Sequence, residues 1–358
     1  MLHPRVKERV SLRHHNTFHL DVKARYFAEV SSVPSLQALL ADRARDERIL
    51  VLGRGANILF RGDFDGLVLK PRLMGRRIVA EDSGSVVLEI GAGEDWPRLV
   101  ADVVALGLGG IENLAMVPGT VGAAPVQHIA CYGHNLRDVF VSLEALSLQD
   151  GSSRVLGLEE CGFRYRDSVF RQSLHGRYLI TGVRLRLSKK PVLNTSYVSR
   201  YESLEGELSK FARPPYTVSD VYRAVVRIRR RKLPDLKRVG CAGSFFKNPV
   251  VSRGEFLALR RNCPSLQFYP ADQLSYPARG ESSLPDEPWV KIPAGWLVDE
   301  LGWKGRRVGE CGLWPKQSLN VVNYGNASPP ELLDFVESVR AEVFRSYGIT
   351  LENEVEVV

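Results

Sequence analysis

The amino-acid sequence predicts a mixed α+β fold, because strand-like and helix-like patterns alternate along the chain. An apolar run at 49–52 indicates a strand that leads into a glycine turn at 53–57. A second strand at 86–90 is followed by a helical pattern at 96–106 that stops at Gly107. With 358 residues, 44% of them apolar and 25% charged, the chain is long enough for two or three hydrophobic cores.

The clearest single element is a helix near the C-terminus. Ser328 and Glu331 form a capping box around two prolines that suit a first helical turn, and Gly348 supplies the stop. Apolar side chains recur at helical spacing in between, at Leu332, Val336, Val339 and Val343. Alternating apolar and polar residues at 349–357 then predict a strand with a solvated acidic face, on which Glu354 lies. Nearer the N-terminus, a helix is predicted from Ser35 to about Asp46.

Composition restricts the cellular setting. The first fifteen residues contain four basic side chains and no apolar run for a signal peptide, and no later stretch is apolar enough to cross a bilayer. We therefore expect a cytoplasmic protein without membrane insertion. The five cysteines are odd in number and include no C-x-x-C pair, so the sequence suggests neither a disulfide framework nor a metal site.

The net charge of +8 favours an anionic partner but does not choose among nucleic acid, lipid and a phosphorylated small molecule. The densest basic cluster, 223–232, follows apolar residues at helical spacing, which favours an amphipathic helix with a solvated basic face. Nucleic-acid binding is the alternative for this cluster. However, the cluster is not accompanied by a recognised nucleic-acid-binding module or by interleaved aromatic residues, which are typical of such proteins.

Two glycine-rich segments indicate a ligand with phosphate groups and a flat ring. Gly53-Arg54-Gly55-Ala56-Asn57 follows a strand and would let backbone N–H groups approach a diphosphate, although an ordinary tight turn explains it equally well. Ile58 occupies the place where a dinucleotide fingerprint needs a third small residue, which argues against a Rossmann site. The segment 116–127 has two glycines and two prolines, which make a narrow, uncharged backbone ribbon.

Five motifs together are similar in order and spacing to the UDP-N-acetylenolpyruvoylglucosamine reductase family, over a match from about Asn16 to the C-terminus. They are Gly53-Arg54-Gly55-Ala56-Asn57, Pro118-Gly119-Thr120-Val121-Gly122-Ala123-Ala124-Pro125, Phe163-Arg164-Tyr165-Arg166-Asp167-Ser168, Gly243-Ser244-Phe245-Phe246-Lys247-Asn248-Pro249 and Leu351-Glu352-Asn353-Glu354-Val355. The stretch around Tyr197 resembles the longer form of the family, which keeps a tyrosine loop over the substrate.

The resemblance implies a two-part FAD-binding domain of the PCMH (vanillyl-alcohol-oxidase-like) type and a C-terminal α/β substrate-binding domain. The expected boundaries are 1–71 for the first FAD-binding part, 72–233 for the second, and 234–348 for the substrate domain. A C-terminal strand at 349–358 is expected to complete the second part. The implied activity is NADPH-dependent reduction of UDP-N-acetylglucosamine enolpyruvate to UDP-N-acetylmuramate through non-covalently bound FAD.

The resemblance also implies three catalytic residues. Hydride addition to an enolpyruvyl ether leaves negative charge that spreads into the attached carboxylate, so the site needs cations and proton donors near that carboxylate. Arg166 would bind the carboxylate, Ser244 would protonate the intermediate, and Glu354 would be the catalytic acid. Each residue also has a non-catalytic explanation. Arg166 could form a surface ion pair with Asp167 or Glu160. Ser244 could be an ordinary turn residue, and Glu354 could be a solvated side chain on the polar face of its strand.

Further residues are implied to bind ligands. For FAD they are Gly53, Arg54, Gly55, Ala56, Asn57, Val117, Pro118, Gly119, Gly122, Ala123, Gln127 and Tyr132. For the substrate they are Tyr197, Lys232, Asn248 and Gln317. The sequence departs from the family pattern at Ala56, Ala123, His128, Cys131, Asn353 and Glu356.

The expected partners are the UDP-sugar substrate and NADPH, and the expected state is a monomer. A different FAD-dependent oxidoreductase on the same fold is the nearest rival, and a basic nucleic-acid-binding protein is the rival from another class. The first would leave the Gly243–Phe246 motif and Glu354 unexplained. A colourless protein retained on a DNA column would favour the second.

Overall fold

The computed structural model describes residues 5–42, 47–198, 202–271 and 288–358, which contain mixed strands and helices. The strands, in chain order, are β1 Lys7–Ser11, β2 Lys23–Val30, β3 Ile49–Val51, β4 Ile58–Leu59, β5 Phe64–Pro71, β6 Arg76–Glu81, β7 Ser85–Gly91, β8 Ala130–Cys131, β9 His134–Asn135, β10 Phe140–Ser147, β11 Ser153–Gly157, β12 Tyr178–Ser188, β13 Gly240–Ser244, β14 Val250–Ser252, β15 Tyr269–Pro270, β16 Trp289–Lys291, β17 Arg307–Val308, β18 Cys311–Leu313, β19 Asn320–Asn323 and β20 Glu356–Val357. The α-helices are α1 Val33–Asp42, α2 Trp96–Ala105, α3 Leu204–Leu208, α4 Val218–Lys232, α5 Arg253–Asn262, α6 Ala294–Glu300 and α7 Pro329–Tyr347. The α+β prediction is confirmed.

Three larger sheets follow one another along the chain. The first has the order β1-β2-β5-β3, with β2, β5 and β3 parallel. The second is antiparallel, with the order β11-β10-β12-β7-β6, and the third is antiparallel, with the order β13-β19-β18-β17. None of the helices in the described ranges is long and apolar enough to cross a membrane.

The hydrophobic cores join parts of the chain that are distant in sequence. Phe18 and Phe60, from the region of the first sheet, share a core with Phe245, Phe246 and the buried face of α7. The second sheet packs with α2 and α4 around a separate core. The first and last segments of the chain are therefore held together by burial of the same apolar surface.

Helix α7 agrees with its sequence signals. Ser328 accepts a hydrogen bond from the Glu331 amide in a complete capping box, and Gly348 ends the helix at φ 68°. The four predicted apolar residues are buried. Helix α1 ends at Asp42, and the last residues of its predicted range, 43–46, lie outside the described residues.

The predicted C-terminal strand at 349–357 is wrong for most of its length. The strand β20 spans only Glu356–Val357, and it pairs in parallel with β4. The chain bends just before it, because the amides of Glu354 and Val355 both approach the Phe245 carbonyl, at 2.8 and 3.4 Å. Glu354 is consequently buried at 8% exposure and does not lie on a solvated face.

Candidate active site

The two glycine-rich segments meet in space. A Cβ on Gly53 would lie 2.9 Å from Oγ1 of Thr120, and a Cβ on Gly122 would lie 2.6 Å from Cβ of Ala92. Arg54 also forms an ion pair with Asp95, whose side chain caps α2. A side chain at Gly53 would meet Thr120 and one at Gly122 would meet Ala92, which explains why glycine is favoured at both places.

Arg166 lies at the tip of a turn and has the left-handed φ of 53°. Two hydrogen bonds between Arg164 and Asp167, of 3.0 and 3.2 Å, close the turn. The Arg166 side chain is 20% exposed, donates to the Ala130 carbonyl at 3.0 Å, and has Nε 3.2 Å from Oε1 of Glu354. Left-handed backbone is costly for a residue with a side chain, so the surrounding contacts must hold this turn in place.

Glu354 is held through both its backbone and its side chain. Its amide donates to the Phe245 carbonyl at 2.8 Å, and its own carbonyl accepts from Nδ2 of Asn57 at 3.1 Å and Nη1 of Arg171 at 3.0 Å. Its Oε1 accepts from Nε2 of Gln127 at 3.2 Å. Two predicted cofactor-binding residues, Asn57 and Gln127, therefore contact one predicted catalytic residue.

Ser244 ends β13 and directly precedes Phe245, whose carbonyl accepts the hydrogen bond from the Glu354 amide. It pairs with Asn320 across the sheet and is half-buried, and Gly243 before it has the left-handed φ of 80°. The tertiary structure thus brings Arg166, Ser244 and Glu354 into one region. The alternative ion pair of Arg166 with Glu160 is not formed, since Glu160 pairs with Arg154 at 2.9 Å.

Tyr197 packs against Tyr132, which lies five residues after the glycine ribbon 116–127. Its ring lies 5.0 Å from the ring of Tyr132 in an edge-to-face arrangement. The two segments are joined by Nδ2 of Asn113, which donates to the carbonyls of Tyr132 at 2.7 Å and Asn194 at 3.0 Å. Burial raises the pKa of the Tyr132 hydroxyl, which keeps it protonated. A predicted FAD residue and the predicted substrate-loop tyrosine are in contact.

The remaining predicted substrate residues fall into two groups. Lys232 and Gln317 are linked through Trp314, whose ring N–H donates to the Lys232 carbonyl at 2.9 Å and whose carbonyl accepts from the Gln317 amide at 3.1 Å. Burial lowers the pKa of Lys232, which an anionic ligand would reverse. Asn248 is buried, and its Oδ1 accepts from the amide of Ala294 at 3.0 Å, so its substrate contact stays a prediction.

Comparison with known proteins decides the family. The model described as "FAD binding domain" matches residues 24–157, and the model described as "UDP-N-acetylenolpyruvoylglucosamine reductase, C-terminal domain" matches residues 235–358. The reductase of that name from Flavobacterium johnsoniae is 36% identical over 354 residues, covering 99% of both chains. The one from Burkholderia mallei is 42% identical over 351 residues, covering 96% of this chain and 95% of the relative. The chain belongs to the UDP-N-acetylenolpyruvoylglucosamine reductase family.

A solved structure supports the fold of this family member. The UDP-N-acetylenolpyruvylglucosamine reductase of Thermus caldophilus superposes with a TM-score of 0.67 over 99% of each chain, at 24% sequence identity. The identification from sequence motifs, the two-part FAD-binding fold and the C-terminal domain are confirmed. FAD is therefore the cofactor of this family member.

The glycine loops of this reductase family member fit the diphosphate of FAD. In the described ranges, the amides of Arg54, Gly55, Ala56 and Asn57 donate no hydrogen bond to another protein group. Consecutive backbone N–H groups around a left-handed glycine, such as Gly55 at φ 62°, are a recurrent way to bind phosphate oxygens. Backbone donors therefore stay available in this loop, although Ala56 departs from the family pattern.

Sequence reasoning missed an inward-facing arginine. On α4, Arg229 donates to Sγ of Cys131 at 3.1 Å and to the Met116 carbonyl at 3.2 Å, so it joins the helix to the glycine ribbon. The prediction of a wholly solvated basic face on α4 is wrong at this position. Its neighbours Arg227 and Arg231 are exposed, yet they pair with the buried Glu207. Helical spacing alone does not distinguish Arg229 from its neighbours.

A buried lysine was also missed. Lys291 is 1% exposed, and its ammonium lies 4.3 Å from the ring centre of Tyr165, next to Arg166. The sequence carried a signal, because a lysine between Val290 and Ile292 interrupts an apolar run. Buried lysines are rare unless they have a partner or a function.

Proposed function

We propose that this chain catalyses the NADPH-dependent reduction of UDP-N-acetylglucosamine enolpyruvate to UDP-N-acetylmuramate with non-covalently bound FAD. The observation that carries the proposal is the contact between Arg166 and Glu354, with Ser244 beside it. Bound FAD would supply the hydride-transfer chemistry. Gly53–Asn57 and 117–123 would hold it through backbone donors, and Gln127 and Tyr132 would line its site.

Residues of the chain would stabilise the negative charge that develops on the substrate and would supply the proton. Arg166 would bind the substrate carboxylate, in competition with Glu354, because a guanidinium binds carboxylates through parallel hydrogen bonds. Glu354 would be the catalytic acid beside that carboxylate. Ser244 would transfer its proton to the carbon next to the carboxylate.

The substrate residues have matching roles in the proposal. Lys232 would pair with the diphosphate or carboxylate, and Gln317 and Asn248 would hydrogen-bond through their amides. Tyr197 would cover the substrate from the ribbon side. We propose the domain boundaries 1–71, 72–233 and 234–348, and a cytoplasmic monomer that binds no nucleic acid. The expectation that residues 349–358 complete the second part is corrected, because β20 pairs with β4 of the first part.

The experiment begins with the protein as purified, before any FAD is added. It should show flavin absorbance, and acid should release FAD into solution because no covalent bond is proposed. NADPH oxidation should require the UDP-sugar, and the product should gain two hydrogen atoms by mass spectrometry. A colourless protein, or NADPH oxidation that ignores the UDP-sugar and depends only on oxygen, would refute the proposed function.

A further inference from the structure

The turn that carries Arg166 is joined by hydrogen bonds to the segment 126–130. Oγ of Ser168 donates to the Val126 carbonyl at 2.6 Å, and Nη1 of Arg166 donates to the Ala130 carbonyl at 3.0 Å. His128 lies between these two contacts, just after the end of the glycine ribbon at Gln127. The turn that carries Arg166 is thus attached to the ribbon that carries the predicted FAD residues.

His128 makes the central contact of this junction. It is 1% exposed and has a left-handed φ of 45°. Its Nδ1 lies 2.7 Å from the carbonyl oxygen of Arg164, which begins the Arg166 turn. Its ring stacks on Phe163 at 4.7 Å with an interplanar angle of 13°. Both the ring plane and the hydrogen bond therefore have a defined direction.

The hydrogen bond determines the tautomer. A carbonyl oxygen can only accept, so Nδ1 must carry the proton. Nε2 is then a lone-pair acceptor in the neutral ring, and it has no hydrogen-bond partner in the described chain. Burial lowers the pKa of His128, and the charges of Arg166 and Arg137 act in the same direction, whereas the Arg164 carbonyl and Asp138 oppose them. The ring is neutral near pH 7.

We propose that His128 is a positioning residue whose Nδ1–H holds the Arg164 carbonyl and thereby keeps the Arg166 turn in its left-handed form. The inference rests on the proposed role of Arg166. A left-handed backbone is unfavourable for arginine, so the turn relaxes unless its neighbours hold it in place. The two hydrogen bonds that close the turn are local to it, whereas the His128 contact joins the turn to the ribbon.

The competing explanation is a histidine that only fills space beside Phe163. Two substitutions separate packing from hydrogen bonding. His128→Leu keeps much of the bulk and loses the donor, whereas His128→Asn loses bulk and keeps a short side-chain N–H. The exposed His14 provides the control variant His14→Leu, away from the junction.

The kinetic test uses the FAD-loaded enzyme and follows the flavin band under anaerobic conditions. For His128→Leu we expect FAD content and reduction by NADPH within about threefold of wild type, but reoxidation by the UDP-sugar slower by about tenfold to a hundredfold, the effect of small misplacement of a reacting group. The loss should be mainly in kcat rather than KM. His128→Asn should restore most of the rate, and His14→Leu should have no effect. Normal reoxidation in His128→Leu would overturn the proposal, as would an equal loss in both His128 variants.

A spectroscopic readout keeps the inference separate from the proposed activity. Nitrogen-15 NMR of the substrate-free holoenzyme should show Nδ1 of His128 protonated, and a slowly exchanging Nε–H of Arg166, assigned by its loss in Arg166→Lys. His128→Leu should lose that arginine signal and His128→Asn should keep it. Retention in His128→Leu, or a proton on Nε2 instead of Nδ1, would refute the positioning role. A wild type that the UDP-sugar fails to reoxidise would refute the proposed function, and the NMR comparison would still decide the role of His128.

Discussion

Nε of Arg166 lies 3.2 Å from Oε1 of Glu354, and this contact joins a turn after β11 to the bend before β20. The opposite edge of the guanidinium is held by the Ala130 carbonyl at 3.0 Å. A planar fork spans these two partners, whereas an ammonium group is a single point of charge. Contact with both Glu354 and Ala130 therefore requires the planar guanidinium of Arg166, and a positive charge alone would not be enough.

Arg166→Lys should lower turnover by about tenfold to a thousandfold, the range for loss of one preorganised donor. FAD content and the unfolding temperature should stay close to those of wild type, because the side chain is partly accessible. The measurement is steady-state NADPH oxidation at saturating UDP-sugar. Arg98→Lys, which alters an exposed arginine 3.8 Å from Asp102, is the matched control. Near-normal turnover in Arg166→Lys would mean that Arg166 is only an ion-pair partner.

Ser244→Ala should separate the two half-reactions. Reduction by NADPH needs no proton from Ser244 and should keep close to its normal rate, but reoxidation by the UDP-sugar should be at least about a thousandfold slower, roughly 4 kcal/mol in barrier terms. Anaerobic stopped-flow at the flavin band measures each step alone. Ser338→Ala is the control, because it removes an exposed hydroxyl that only bonds within α7. A variant that NADPH reduces slowly would instead assign Ser244 to nicotinamide binding.

Gly122→Ala should weaken FAD binding. The new Cβ would lie 2.6 Å from Cβ of Ala92, which has no rotamer to adopt, so the ribbon must move away from Ala92. Overpacking of this kind costs about 1–3 kcal/mol, and we expect a Kd for FAD raised at least about tenfold. Gly62→Ala, with open space around it, is the control and should bind FAD normally. Titration of the apoprotein by flavin fluorescence gives both values.

Glu207→Gln should reduce stability in a pH-dependent way. Burial opposes ionisation of Glu207, but hydrogen bonds from Lys210 and Arg227 and the charge of Arg231 outweigh it, so the pKa of this carboxyl lies below its usual 4.5. A depressed pKa in the folded state stabilises the protein above the unfolded-state pKa, and that contribution is lost as pH falls through the folded-state pKa. We expect a free energy of unfolding about 1–3 kcal/mol below wild type at pH 7, since the cations are half-exposed.

The measurement for Glu207 is urea unfolding between pH 7 and pH 3. The difference between Glu207→Gln and wild type should shrink as pH falls below about 4.5, where the unfolded-state carboxyl gains its proton. Glu205→Gln, at an exposed position on the same helix, should match wild type throughout. A constant difference across the whole range would show that packing, rather than charge, explains the effect.

The sequence by itself determined the family, the α+β class and helix α7, because glycine motifs and helix caps depend on neighbouring residues in the chain. Only the tertiary structure decided where the alternating residues 349–357 lie. Their period is that of a strand, yet the Phe245 carbonyl binds the amides of Glu354 and Val355, and the chain bends. Likewise, Arg229 and His128 acquire their contacts from segments distant in sequence, at Met116 and Arg164. Periodicity records which face of an element is apolar, but the partner of a polar side chain depends on which distant segment packs against it.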